Sequence, residues 1–161
     1  LDDEMLEDVL SLMLKSDLHR DWYVSDLERL VLPAIKAKRM TVVYEDKITC
    51  KTEIYPRPTG LFSHAFLTKE AAKGYEDGTR KLQPEDWLTD HGSGMLYVID
   101  FIAPYNNALK IGRIAQQELT SRYIESYPYD GATFLRQVNG KRKRYATGVQ
   151  EDLLDRRLSC V

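Results

Sequence analysis

Met5, Leu6, Val9, Leu10 and Met13 recur at the three- and four-residue spacing of one helical face, so the chain is predicted to open on an amphipathic helix. A second helix is predicted where Ser25 is followed three residues later by Glu28, the pairing of a capping box. Pro33 falls inside the apolar stretch from Leu30 to Ile35. Proline brings no N–H to the helix, so a kink or an early stop is expected there. The period then shortens. Thr41-Val42-Val43-Tyr44 is rich in strand-forming residues, and Lys47 to Tyr55 alternates Ile48, Cys50 and Ile54 with polar positions. Pro56-Arg57-Pro58-Thr59-Gly60 reads as a loop by composition. Leu61 to Leu67 suits a third strand, Thr68 to Glu76 a short helix capped by Thr68, and Gly78 to Asp90 an irregular stretch.

The most apolar run is Met95 to Ile102, which predicts a central rather than an edge strand, with the ionisable Asp100 set inside it. Pro104 ends that strand. Asn106 or Asn107 can cap the following helix, which carries Leu109, Ile111, Ile114, Ala115 and Leu119. Asn139-Gly140 between two strand-like runs predicts a tight hairpin, and Glu151 to Leu158 a closing helix. The element order describes a single α+β domain over residues 1–161 with no internal repeat.

Composition supports a folded domain. The 161 residues are 43% hydrophobic and 30% charged, with a net charge of −2, whereas disorder needs low hydrophobicity and strong net charge. No apolar run approaches the ~20 residues of a membrane span. The start, Leu1-Asp2-Asp3-Glu4, lacks the basic character of a secretory signal and the initiator Met, which suggests a trimmed or processed end. Cys50 and Cys160 follow no metal spacing and read as free thiols of a reducing compartment, so the cytoplasm is expected. His19, His64 and His91 have no local spacing, which gives no metal site. His64 is expected in packing or as a partly exposed strand residue, and His91 in a polar loop. Lys141-Arg142-Lys143-Arg144 is the one basic run. It is either a solvated hairpin edge or, joined by Arg136, a docking patch for an acidic partner. Nucleic acid needs a broader positive surface than a pI of ≈ 6.0 allows.

Taken alone, His19 reads as a structural or surface histidine, and Asp100 as a buried carboxylate satisfied by backbone amides. Their surroundings change that. Ser16-Asp17-Leu18-His19-Arg20-Asp21-Trp22 followed by Val31-Leu32-Pro33-Ala34-Ile35, then Ser63-His64-Ala65-Phe66-Leu67 with Glu70-Ala71, then Glu85-Asp86-Trp87, then Ile99-Asp100-Phe101-Ile102-Ala103-Pro104 run in one order. Together they resemble the RTX toxin-activating lysine acyltransferase family, whose members take a fatty acyl chain from acyl-carrier protein and attach it to lysines of a protoxin. The resemblance is specific from about Ser16 to Tyr105 and weaker beyond. It implies a GNAT-like fold (a mixed, mostly antiparallel sheet flanked by helices), often a homodimer, with His19 and Asp100 as the catalytic pair. Two departures stand out. Arg29 and Leu30 lie where the family commonly has Asn before the proline, and Lys47 to Gly60 is longer than the family norm.

The implied chemistry suits these residue types. A free lysine has a pKa of ~10.4, so a base must remove its proton as it attacks a thioester, and histidine titrates near working pH. A buried carboxylate can fix the imidazole tautomer and stabilise the imidazolium. A covalent acyl-histidine intermediate is the alternative to direct transfer. Helix amides starting near Asn107 can serve an oxyanion or the phosphate of a pantetheine arm, and Arg20 can meet that phosphate or pair locally. Trp22 is expected in the core. Only Gly112 lies near that helix start, so the glycine-rich loop of acetyl-CoA enzymes is not evident and a carrier-protein donor is favoured, with no bound cofactor. Two rivals remain at this point: an acyl-CoA-dependent N-acyltransferase acting on a small amine, and a non-catalytic partner-binding domain on the same scaffold.

Overall fold

The computed structural model describes residues 2–49, 53–123, 132–138 and 141–147. The first helix, α1, runs Asp2–Met13 and buries Val9, Leu12 and Met13. The next helical stretch is built in three parts: α2 (Val24–Asp26), a π turn (Leu27–Val31) and α3 (Leu32–Lys36). The carboxylate of Asp26 accepts the backbone N–H of Tyr23 at 3.0 Å. The helix therefore starts one residue before Ser25, and the expected Ser25–Glu28 box is replaced by this bond. Pro33 does not stop the helix. The N–H of Leu32 reaches back five residues to the carbonyl of Leu27, and that wider turn makes room for the proline ring just after it.

The stretch ends with Lys38 at φ 56°, a left-handed position. The Arg39 N–H bonds the Ala34 carbonyl at 2.8 Å and the Lys38 N–H bonds that of Ile35 at 2.9 Å, the paired bonds of a Schellman ending. An L side chain is strained there, at roughly 1–2 kcal/mol, and only part of that relief is offset by the extra entropy of unfolded glycine. Lys38→Gly is expected to raise unfolding stability by about 0.5–1 kcal/mol, read as a higher urea midpoint at unchanged slope.

Five strands are hydrogen-bonded in the order β1-β2-β3-β4-β5. β1 (Met40–Thr49) and β2 (Glu53–Leu67) form one long antiparallel ladder from Met40↔Ser63 to Thr49↔Glu53. The segment expected as a loop, Pro56 to Gly60, is therefore strand. Its two prolines are two residues apart, so their missing donors fall on the same side of the strand, and Arg57 between them still has an N–H for the other side. The register shifts between Val43 and Tyr44, which pair with Gly60 and Pro58 and leave Thr59 as the extra residue of a bulge. The Thr59 hydroxyl donates to the Val43 carbonyl at 3.3 Å. Gly60 is required beside it, because a Cβ would lie 2.7 Å from the Ile111 side chain.

β3 (Met95–Ile102) is third of the five, as its apolar run predicts. It pairs parallel with β4 (Ala132–Val138), and β4 pairs antiparallel with β5 (Lys141–Thr147). The Val138↔Lys141 pair bears out the hairpin. Asn139-Gly140 themselves, the expected helix Glu151 to Leu158, and both cysteines lie outside the described residues. Two more helices complete the set. α4 (Lys69–Asp77) has Thr68 accepting the Ala71 N–H at 3.3 Å, as expected, and α5 (Ala108–Tyr123) follows β3. The architecture is a mixed α+β sheet with helices. Among the described residues no helix is long and apolar enough to cross a membrane.

The chain divides into two compact units. The first, Leu1–Ser63 with Asp100–Ala115, has Leu12, Val31, Ala34, Leu61, Phe62 and Ile111 in its core. The second comprises His64–Ile99 and the chain from Gln116 on, and is built around Phe66, Leu67, Trp87, Tyr97 and Leu119. Within it a two-bond Arg80–Asp86 pair, 2.7 and 3.0 Å, orders the stretch that looked irregular, with the Gln83 N–H donating to the same carboxylate at 2.8 Å. That pairing raises the pKa of Arg80 further above its usual range.

Candidate functional site

The chain leaves α1 in a series of tight turns. The N–H groups of His19 and Arg20 both bond the Ser16 carbonyl, at 3.0 and 2.9 Å, and the Trp22 N–H bonds the carbonyl of His19 at 3.1 Å. These turns bring the His19 ring back against the first unit, where only 8% of the residue is exposed. Its ring lies 4.7 Å from that of Trp22, centroid to centroid.

The buried carboxylate on β3 meets it there. His19 Nε2 lies 3.3 Å from Asp100 Oδ1, and Asp100 is itself 8% exposed. The other ring nitrogen, Nδ1, lies 2.7 Å from the Ser16 hydroxyl. On the far side of the carboxylate, the Ser63 hydroxyl donates to Asp100 Oδ2 at 2.7 Å and accepts the Asp100 backbone N–H at 3.0 Å. Four side chains thus form one line: Ser16, His19, Asp100, Ser63. A carboxylate only accepts, so Nε2 carries a proton, and in the neutral ring the lone pair is then on Nδ1, facing the Ser16 O–H. The basic nitrogen is therefore the one turned to the half-buried serine.

Apolar side chains wall the pair. Val9, Met13, Trp22, Val31, Leu61 and Ile102 line a cavity of ≈ 10 Å³ against it, room for about one water. A low-dielectric wall of this kind strengthens the His19–Asp100 attraction relative to water. Sequence reasoning picked out His19 and Asp100 and missed both serines. Ser16 has a local signal, since a hydroxyl three residues before His19 is within one turn of it. Ser63 is signalled only as a polar residue within the apolar run Leu61 to Leu67.

The other expected residues are placed as follows. Arg20 is exposed, with one guanidinium nitrogen 4.0 Å from Asp17, a surface pair of small worth. Asn107 caps α5 through its carbonyl, which accepts the Ile111 N–H at 3.0 Å. Its side chain accepts the Tyr105 N–H at 3.3 Å and donates at 3.0 Å to the carbonyl of Thr59 in the β2 bulge. That leaves the amides of Ala108, Leu109 and Lys110 ahead of the first intrahelical bond. Arg29 pairs with Asp26 at 3.0 Å, and Leu30 is half-buried in the π turn. Of the long stretch from Lys47 to Gly60, the described residues 47–49 and 53–60 belong to the β1–β2 ladder. Arg136 stands opposite Lys143 in the β4–β5 register, with Arg144, Arg142 and Lys141 opposite Leu135, Gln137 and Val138. His64 is not partly exposed but fully buried, its Nε2 2.6 Å from the Tyr123 hydroxyl, because β2 is covered on both faces there. His91 lies in a short exposed 3₁₀ turn. Among the described residues no group of three or more His, Cys, Asp or Glu is placed to hold a metal ion.

A model of the RTX toxin acyltransferase family matches residues 2–139. The chain is 28% identical over 130 residues to the RTX-II toxin-activating lysine-acyltransferase ApxIIC of Actinobacillus pleuropneumoniae, covering 79% of this chain and 74% of that protein. It is 28% identical over 156 residues to the leukotoxin-activating lysine-acyltransferase LtxC of Aggregatibacter actinomycetemcomitans, covering 97% and 81%. It is also 26% identical over 136 residues to the protein-lysine myristoyltransferase HlyC of Escherichia coli, covering 84% and 73%.

Proposed function

The chain belongs to the RTX toxin acyltransferase family and is an acyltransferase; we propose that it moves a fatty acyl group from the thioester of acyl-carrier protein to lysine side chains of an RTX-type protoxin, with His19 as general base and Asp100 as its partner. The observation that carries this reading is the buried His19–Asp100 bond, which leaves the lone pair of Nδ1 on the Ser16 side.

The lysine nitrogen takes the position beside Nδ1 now held by the Ser16 hydroxyl. The lysine ammonium first gives one proton to solvent; as the neutral amine attacks the thioester carbon, the C–N bond forms and a second proton of the nitrogen passes to Nδ1. Asp100 stabilises the imidazolium through Nε2. The C–S bond then breaks, and the leaving thiolate takes the proton back from Nδ1, which restores the neutral ring. The amides at the start of α5 are the donors proposed for the donor phosphate or the oxyanion, and Arg20 is the cation proposed for that phosphate. The five basic residues of the β4–β5 hairpin suit the acidic surface of a carrier protein.

The test supplies a labelled myristoyl group on either acyl-carrier protein or CoA, with an RTX protoxin as acceptor. Transfer from the carrier protein at least about tenfold faster than from CoA is expected, a difference of about 1.4 kcal/mol in transition-state binding. Equal or faster use of CoA would move the reading to a CoA-dependent N-acyltransferase. No transfer from either donor would favour a binding domain.

A further inference from the structure

Ser63 is 0% exposed, within a strand whose neighbours Phe62, His64 and Ala65 are also buried. A buried hydroxyl needs partners, and this one directs its donor and an acceptor lone pair to a single residue. Its O–H donates to Asp100 Oδ2 at 2.7 Å, and its oxygen accepts the Asp100 backbone N–H at 3.0 Å. One bond holds the main chain of Asp100 and the other its carboxylate, so the torsions between them are fixed and Oδ1 is the oxygen left for His19. The His19–Asp100 contact is 3.3 Å, the longer of the two side-chain bonds to that carboxylate, and so depends on how the carboxylate is aimed.

We infer that Ser63 is a positioning residue for catalysis: it aims Asp100 at Nε2 of His19 and thereby fixes the tautomer in which Nδ1 is unprotonated and can take the substrate's proton. The inference rests on the reading of His19 and Asp100 as the working pair. Without the Ser63 hydroxyl, Oδ2 and the Asp100 N–H both lose a buried partner. The carboxylate then turns to recover one, and His19 loses the acceptor that selects the Nε2–H form.

The first arm needs no substrate. In protein with ¹⁵N-labelled histidine at alkaline pH, His19 of the wild type is expected to show a protonated Nε2 and an unprotonated Nδ1. Asp100→Asn and Ser63→Ala should both lose that pattern, toward mixed or reversed tautomers. Ser63→Cys, close in volume but a weak donor, should fall between and stands in should Ser63→Ala not fold. In the transfer assay Ser63→Ala is expected to lower kcat by about 10- to 100-fold with KM within about twofold, and to cost nothing further in an Asp100→Asn background. A wild-type nitrogen pattern in both Ser63 variants, with Asp100→Asn altered, would overturn the role of Ser63 alone. A wild-type pattern in Asp100→Asn would overturn the reading of the pair itself. An equal loss of kcat from Ser63→Ala in both backgrounds would mark Ser63 as structural and overturn the inference.

Discussion

His19→Ala is expected to lower kcat for acyl transfer by about 10²–10⁴-fold, the usual worth of a positioned general base. The substrate amine still meets the thioester, but the proton its nitrogen sheds as the C–N bond forms must go to water rather than to a positioned base. The same change strands Asp100 Oδ1 in a site where the residue is 8% exposed. A buried acceptor left without a donor costs about 1–3 kcal/mol, so the variant should also melt earlier than the wild type. Single-turnover transfer, run beside thermal unfolding, separates the two effects. A loss of rate at a temperature where the variant is still folded belongs to the chemistry.

Asp100→Asn should act through the tautomer rather than the fold. The new side chain keeps the shape of the carboxylate. Ser63 donates to the Oδ2 position, so the amide oxygen settles there and the NH₂ faces His19. Two donors cannot meet, and the ring answers by moving its proton from Nε2 to Nδ1. Nδ1–H then donates to Ser16, and the lone pair that should receive the amine's proton is turned inward to the amide. A loss of about 10²–10⁴-fold in kcat is expected, with a melting temperature within a few degrees of wild type. Reversed ¹⁵N shifts at the two ring nitrogens would accompany it. Unchanged kcat in this variant would remove Asp100 from the mechanism.

How far these residues could be read from the chain depends on how local their signals are. β3 was legible because Met95 to Ile102 is an unbroken apolar run, and α1 because its apolar residues keep one helical face. The Asn139-Gly140 pair in the sequence is an equally local signal, and Val138 pairs with Lys141 on either side of it. The β1–β2 ladder was obscured by its prolines. Composition at Pro56 to Gly60 reads as loop, whereas the pairing with β1 and the Thr59 bulge are long-range facts. The continuation of the second helix past Pro33 was hidden because a π turn is a response of the backbone to packing rather than a pattern in the residue types. At the site, His19 and Asp100 stood out through their motifs, although 81 positions separate them. Ser63 carries no local mark of its role: it lies 37 positions from Asp100, and only the fold brings the hydroxyl to that carboxylate.

The most direct test of acyl transfer at this site is mass-spectrometric mapping of an RTX protoxin incubated with myristoyl-acyl-carrier protein and either the wild type or His19→Ala. A myristoyl mass increment in amide linkage on lysine Nζ is expected with the wild type, and none above background with the variant. Equal modification of the same lysines by both proteins would contradict it.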